Sequence, residues 1–262
     1  MPIINKNIFE QTKQAYKGLL TYVIGRDLLV KDLFFKLTGV EPVCVSNPQK
    51  ALDELPLPDI VVWTGGEDVS PILYNEKNTY SNNNINRDLT EMLFYQMYSR
   101  HSDILKIGIC RGGQFLNVMN GGKMIQHIAN QHGEIHKVEA LQWPFPVDTG
   151  ADEIHSEVNS THHQGIVTSG NGVIDMLSHK GVTESCCYVN RATSHMSFIF
   201  QPHPEYDHEK TTSIFMYYLH CIIKMIQKDY RIQFPRKKAE VGKAAPDGRV
   251  ALNDGWFVVD DL

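Results

Sequence analysis

The feature that most constrains this chain is the segment Gly-Ile-Cys-Arg-Gly-Gly-Gln at residues 108–114, between a short apolar run and a helix-like stretch. Glycines on both sides of Cys110 permit a sharp turn that exposes a side chain at the edge of a sheet. A helix that begins there directs its positive end at the sulfur and favours the thiolate. The segment therefore predicts a nucleophilic cysteine, as acyl-transfer enzymes require.

Length and charge set further limits. The 262 residues suit one large domain, or one domain with an extension. The net charge of −5 gives no basic field for nucleic acid or for an anionic membrane surface. No apolar stretch approaches the roughly 20 residues of a membrane span, and the N-terminus lacks the apolar core of a signal peptide. We therefore expect a cytoplasmic protein with neither nucleic-acid nor membrane partners.

The five cysteines are an odd number, and their spacing fits neither a disulfide framework nor a zinc site. We expect four ordinary thiols, buried or half-buried, and one special thiol at Cys110. The ordinary ones are Cys44, Cys186, Cys187 and Cys221.

Strand and helix patterns alternate along the first half of the chain. Strands are expected at 19–24, 42–45, 59–63 and up to Cys110, and helices at 28–37, from near 89, at 111–119 and at about 210–228. The helix near 89 is expected because Asp88 and Glu91 form an Asp-x-x-Glu cap. From about 123 to 200 the pattern becomes shorter and rich in strands. Such alternation predicts βαβ units, with a site beyond the carboxyl ends of parallel strands, where Gly65-Gly66 and Cys110 both fall.

A general base for the cysteine is predicted where the apolar run 198–200 leads into Gln-Pro-His-Pro-Glu at 201–205. Residues i and i+2 of an extended chain project from one side, so His203 and Glu205 can face each other. The prolines around His203 limit the backbone's alternatives. Glu205 would then hold one imidazole nitrogen while the other faces Cys110, as in a nucleophile–base–acid triad.

The glycines of Thr64-Gly65-Gly66-Glu67-Asp68 follow a buried strand. Their backbone N–H groups, with that of Arg111, would suit an oxyanion hole. A plain tight turn explains this motif better when it is taken alone.

Several segments together resemble the class I glutamine amidotransferase superfamily, and most of all its γ-glutamyl hydrolase branch, which includes γ-glutamyl-γ-aminobutyrate hydrolases. These segments are 64–71 with Tyr74, 108–114, 116–118 with Gly121-Gly122, Val158-Asn159-Ser160-Thr161-His162-His163-Gln164, and 201–205. The first roughly 55 residues and the loop between Tyr74 and Arg87 match weakly.

The resemblance implies a catalytic Cys110, a base His203 and an orienting Glu205. It implies that the N–H groups of Gly66 and Arg111 serve the oxyanion. It further implies substrate contacts from a set of residues on the loops around the nucleophile: Gly65, Gln114, Asn159, Ser160, His162 and His163.

On these grounds we predict a flavodoxin-like three-layer α/β sandwich with a mostly parallel central sheet and a short β-rich part. Residues 1–234 would form the amidotransferase-like domain. Residues 235–262 would form a C-terminal extension whose apolar end docks on the body or on a partner chain. No metal site is expected at His162-His163, because no carboxylate or cysteine stands at ligand spacing. We expect His127, His132 and His136 to be surface or loop residues.

The predicted activity is hydrolysis of a γ-glutamyl amide through a γ-glutamyl thioester on Cys110, with no metal or organic cofactor. An alternative is a glutaminase subunit that delivers ammonia to a separate synthetase or ligase. A binding module without catalysis, and a cysteine peptidase or chaperone-like protein of the wider fold group, are less favoured. The substrate is a small molecule whose leaving amine the sequence does not identify, and a homo-oligomer remains open.

Overall fold

The computed structural model describes residues 6–128, 135–141, 155–169, 172–190, 195–206, 208–228, 249–252 and 255–258. The helices are α1 (Lys6–Tyr16), α2 (Leu28–Thr38), α3 (Pro48–Glu54), α4 (Ile85–Tyr98), α5 (Arg111–Met119) and α6 (Glu209–Lys228). The strands are β1 (Thr21–Ile24), β2 (Val43–Val45), β3 (Ile60–Trp63), β4 (Leu105–Ile109), β5 (Lys123–Ile125), β6 (His136–Ala140), β7 (His155–Val158), β8 (Gly165–Val167), β9 (Val173–His179), β10 (Val182–Asn190), β11 (His195–Phe200), β12 (Arg249–Leu252) and β13 (Gly255–Val258).

Most strands of the described residues form one large sheet with the order β2-β1-β3-β4-β11-β10-β9-β6-β7. In addition, β8 pairs with β10, and β5 pairs with β8. The neighbours from β2 to β11 pair in parallel. The pairs from β11 to β10 onward are antiparallel. The structure therefore confirms the predicted mostly parallel core and the shorter β-rich part that adjoins it.

The sheet lies between two helical layers. Alternate side chains of its strands face opposite sides, and each side packs on helices. Ile60 and Val62 of β3 belong to an apolar core shared with α1, α2 and α6. Val61 and Trp63 belong to a second core shared with α3, α4 and α5. The period of two along β3 thus produces the predicted three-layer sandwich.

The predicted start of α4 near residue 89 is wrong. The helix begins at Ile85, and the Asn84 side chain caps it by accepting from the Arg87 N–H at 3.3 Å. Asp88 and Glu91 lie within the helix and are buried. Their Asp-x-x-Glu spacing places both carboxylates against Arg111, with which they form ion pairs, and does not cap the helix.

Several elements were not individually predicted, and β10 is the most important of them. It is central to the sheet, yet its sequence Val-Thr-Glu-Ser-Cys-Cys-Tyr-Val-Asn shows no clear alternation of apolar and polar residues. The others include α1, which precedes β1 and packs on α6, the short α3, and the strands β5, β6, β12 and β13.

As expected, the five thiols are free, with Cys44 half-buried and the others buried. Near the C-terminus, β12 and β13 form a separate two-stranded sheet. The docking of the extension stays a prediction, and residues 235–248 lie outside the described residues. Among the described helices, none combines the length and apolar character needed to cross a membrane.

Candidate functional site

The site forms where three neighbouring parallel strands end. The register pairs Trp63 of β3 with Gly108 of β4, and Phe200 of β11 with Ile109 of β4. The Cys110 N–H continues this ladder by donating to the Phe200 carbonyl at 2.9 Å. The segments that follow the strands, 64–68, 110–114 and 201–205, therefore meet at the carboxyl edge of the sheet, as predicted.

Cys110 occupies a strained turn between β4 and α5. Its φ of 51° and ψ of −115° lie in a region that residues other than glycine rarely adopt. The flanking glycines let α5 pack directly on the sheet. A β-carbon at Gly112 would overlap the Trp63 carbonyl, and one at Gly108 would overlap the Gly112 carbonyl. The predicted sharp turn at Cys110 is present and close packing explains its glycines, but the Cys110 side chain is buried where an exposed one was expected.

His203 and Glu205 form the predicted pair. Their Nδ1 and Oε1 atoms are 2.6 Å apart, and both side chains are buried. Burial lowers the pKa of the His203 imidazole, but the neighbouring Cys110 thiol and the Glu205 carboxylate outweigh it and raise the pKa to about 10. The Tyr206 ring stacks on the imidazole with 4.4 Å between centroids. This environment favours a cationic imidazole beside the cysteine at neutral pH.

The glycine loop lies against His203 and Cys110. A β-carbon at Gly65 would stand 3.2 Å from His203 Cε1 and 3.8 Å from Cys110 Cβ. Gly66 has a φ of +141°. Arg111 is the first residue of α5, so its N–H is among those that a helix leaves without an internal partner. The structure thus brings Gly65, Cys110 and His203 together, with Gly66 and Arg111 adjacent in the chain.

Asn159 binds the backbone of His203. Its Oδ1 accepts from the His203 N–H at 2.8 Å, and its Nδ2 donates to the His203 carbonyl at 2.8 Å. Asn159 was expected to contact substrate, whereas its amide is engaged in placing the predicted base. The two residues are 44 positions apart, so spacing alone gives no signal of this contact.

The Arg111 side chain lies in a buried ion-pair network with α4. Its guanidinium contacts Asp88 and Glu91, and the side chains of all three are almost fully buried. Glu91 also accepts from Arg87 Nε at 2.8 Å. Sequence reasoning missed this role, although a basic residue at 111 and two carboxylates three positions apart on one helix face were a usable signal.

Three other predicted substrate residues are Gln114, Ser160 and His163. Gln114 is buried, and its Nε2 donates to Gln201 Oε1 at 3.2 Å. Ser160 is buried, and His163 Nε2 lies 2.9 Å from Asp68 Oδ2. Gln114 and His163 thus contact segments that meet at this edge of the sheet, while the substrate contacts of all three residues stay a prediction.

His162 approaches the buried carboxylate of Glu184 on β10, with 3.5 Å between Nε2 and Oε2. Burial lowers the pKa of His162, but Glu184 and Cys110 outweigh it and raise the pKa. His136 was expected at the surface or in a loop. Instead it lies on β6, its side chain is mostly buried, and Nε2 is 3.5 Å from Glu184 Oε1. Both imidazoles lie beside the Glu184 carboxylate because a buried charge requires partners.

His127 is exposed, as expected, while His132 lies outside the described residues. Within the part of the chain that the structure describes, no three histidine, cysteine or carboxylate side chains are grouped so as to hold a metal ion.

The chain resembles known proteins in both sequence and structure. The family described as Peptidase C26 matches residues 42–205, more than half of the chain. The glutamine amidotransferase-like protein YvdE of Lactococcus lactis subsp. lactis is 29% identical over 62% of this chain and 72% of its own length. Its homolog in subspecies cremoris is 32% identical over 49% and 74% of the two chains. The crystal structure of a glutamine amidotransferase from Thermotoga maritima superposes with a TM-score of 0.53 at 14% identity, covering 80% of this chain and 86% of that one.

Proposed function

Because this chain belongs to the peptidase C26 family, within the class I glutamine amidotransferase superfamily, we propose that it hydrolyses the amide bond of a γ-glutamyl compound. The observation that carries the proposal is the juxtaposition at one sheet edge of a strained cysteine, a buried His203–Glu205 pair and a glycine loop. These are the parts that nucleophilic acyl transfer requires.

In the first half of the reaction, the Cys110 thiolate attacks the γ-carbonyl carbon and a C–S bond forms. The carbonyl π electrons move onto oxygen, and the resulting oxyanion accepts hydrogen bonds from the N–H groups of Gly66 and Arg111. The cationic His203 then donates its proton to the departing nitrogen. The C–N bond breaks, the amine leaves, and a γ-glutamyl thioester remains on Cys110.

In the second half, His203 is neutral and accepts a proton from a water molecule, which attacks the thioester carbonyl. The C–S bond breaks, glutamate leaves, and the imidazolium is regenerated beside the thiolate. Glu205 stabilises the imidazolium in both halves and keeps Nε2 directed at the reacting atoms. These reaction steps use only side chains and backbone groups of this chain, the substrate and water.

A glutaminase subunit that passes ammonia to a separate synthetase would form the same thioester, so the substrate separates the two functions. The test measures glutamate release from a panel of γ-glutamyl amines beside glutamate and ammonia release from glutamine. Cys110→Ser is the control for enzyme-dependent release.

We expect turnover of a γ-glutamyl amine that exceeds turnover of glutamine and disappears in Cys110→Ser. Preferred turnover of glutamine would indicate the amidotransferase subunit. Release that persists undiminished in Cys110→Ser, or no release from any compound, would overturn the proposal.

A further inference from the structure

Arg87 on α4 lies behind the glycine loop. Its Nη2 donates to the Gly65 carbonyl at 2.9 Å and to the Thr64 carbonyl at 3.3 Å. A β-carbon at Gly66 would overlap the guanidinium, so the loop follows the shape of this side chain closely. About a quarter of the Arg87 side chain is exposed, at 23%.

The Gly65 carbonyl and the Gly66 N–H belong to one peptide group. Such a group is planar and trans, so its oxygen and its hydrogen point in opposite directions. A cation fixed on the oxygen side therefore directs the N–H to the other side. It also polarises the peptide and strengthens the N–H as a hydrogen-bond donor.

Arg87 is itself held in place by two carboxylates. Its Nε is 2.8 Å from Glu91 Oε1, and its Nη1 is 2.5 Å from Glu67 Oε2. Glu91 also contacts the Arg111 guanidinium, which belongs to the elbow helix α5. A continuous chain of ion pairs thus joins the residue after the nucleophile to the peptide of the glycine loop.

We propose that Arg87 is a positioning residue that fixes the Gly65–Gly66 peptide with its N–H directed at the oxygen of the Cys110 adduct. The inference rests on the proposed function. It means that this chain orients its oxyanion donor with one of its own side chains. Arg87 then acts on tetrahedral species alone. Neither the binding of substrate nor the reactivity of the thiol toward simple alkylation depends on it.

Two thiol reagents separate these effects. Iodoacetamide alkylates a thiolate by displacement at carbon and forms no oxyanion. Glutaric semialdehyde forms a hemithioacetal: sulfur bonds to the aldehyde carbon, the C=O π bond breaks, and the oxygen on the now tetrahedral carbon carries the negative charge or the proton of the thiol. The variants are Arg87→Gln and Arg87→Lys, with Arg100→Gln, an exposed arginine just after α4, as the matched control.

We expect Arg87→Gln to lower kcat by about 10²- to 10³-fold, the usual effect of losing one oxyanion donor, with KM nearly unchanged. Its affinity for the semialdehyde should fall by a similar factor, while its alkylation rate stays within about twofold of wild type. Arg87→Lys keeps the charge but not the planar fork, so it should be intermediate. Arg100→Gln should match wild type in every assay.

Semialdehyde affinity that does not change, or an alkylation rate that falls in parallel with kcat, would overturn the inference. If Arg87→Gln does not fold, Glu67→Gln removes one of the carboxylates that hold Arg87 and is subject to the same criteria. The semialdehyde reaction needs only the thiol and the oxyanion donors. If the wild type hydrolyses no γ-glutamyl compound, the proposed function fails while this comparison still tests the role of Arg87.

Discussion

Asn159 holds His203 by both of its backbone groups, with two hydrogen bonds of 2.8 Å each. Asn159 follows β7, whereas His203 follows β11, so the contact ties the antiparallel part of the sheet to the parallel core. The amide therefore links the position of the proposed base to a part of the fold remote from it in sequence.

Asn159→Ala should lower kcat by about 10- to 100-fold with a small change in KM, because His203 loses its alignment with Cys110. The unfolding free energy should fall by about 1–3 kcal/mol, since the His203 N–H loses its partner in a buried site. Steady-state kinetics and urea unfolding measure the two effects. A change confined to KM would assign Asn159 to substrate binding instead.

Gly112→Ala should destabilise the protein by about 3 kcal/mol or more and abolish activity. The added methyl would overlap the backbone carbonyl of Trp63, so α5 would have to move away from β3. Gly113→Ala is the matched control, because its methyl would meet the Ile199 side chain at 3.1 Å and the Gly108 carbonyl oxygen at 3.2 Å, contacts far looser than the overlap at Gly112. Equal thermal stability of the two variants would contradict this account of the elbow.

Glu205→Gln should change stability in a pH-dependent way. The pKa of His203 is raised from 6.5 to about 10, with Glu205 among the causes. A group whose pKa is raised on folding stabilises the protein fully below about pH 6.5 and loses that contribution as the pH rises through about 10. The stability difference between wild type and Glu205→Gln should therefore be larger at about pH 6 than at about pH 10.

Urea unfolding of both proteins across this pH range provides the measurement. The alkaline limb of kcat/KM should also move to lower pH in Glu205→Gln, because His203 would lose its proton sooner. A stability difference that is constant with pH would be inconsistent with the proposed coupling.

Lys106 is fully buried on β4, and its Nζ donates to the His101 carbonyl at 2.6 Å. Burial lowers the pKa of this ammonium from 10.5 to about 7. The unfolded chain therefore binds the proton more tightly, and wild-type stability should rise with pH between these two values. Lys106→Met should stabilise the protein, by an amount on the order of 2 kcal/mol below pH 7 and by less above it.

Thermal unfolding at several pH values tests this, with the exposed Lys17→Met as control. A Lys106→Met protein that is less stable than wild type at every pH would show that the ammonium is required by the fold.

The parallel half of the fold and the elbow could be predicted because local signals agree there. Buried apolar runs end in glycine or in Cys110, and helix patterns follow. The start of α4 could not be predicted correctly, because Asp88 and Glu91 satisfy a capping pattern locally while their partner, Arg111, is a tertiary contact. The capping pattern therefore gave the wrong helix start, because these carboxylates form tertiary ion pairs instead.

β10 was missed for a similar reason. Its polar residues Glu184 and Ser185 are fully buried and find their partners on β6, on β11 and in the loop before β8. A sequence shows such residues only as polar, so the strand resembles a loop. The same limit applies to Asn159 and Arg87, whose contacts with the site depend on how distant segments pack.

Trapping the acyl-enzyme tests the proposed thioester mechanism most directly. Wild type and Cys110→Ala are mixed with a γ-glutamyl amine, quenched in acid within one turnover, digested, and analysed by mass spectrometry. We expect a glutamyl adduct on the peptide that contains Cys110, in wild type alone, formed as fast as the amine is released. Amine release without an adduct, or release that continues in Cys110→Ala, would contradict a cysteine-bound thioester mechanism.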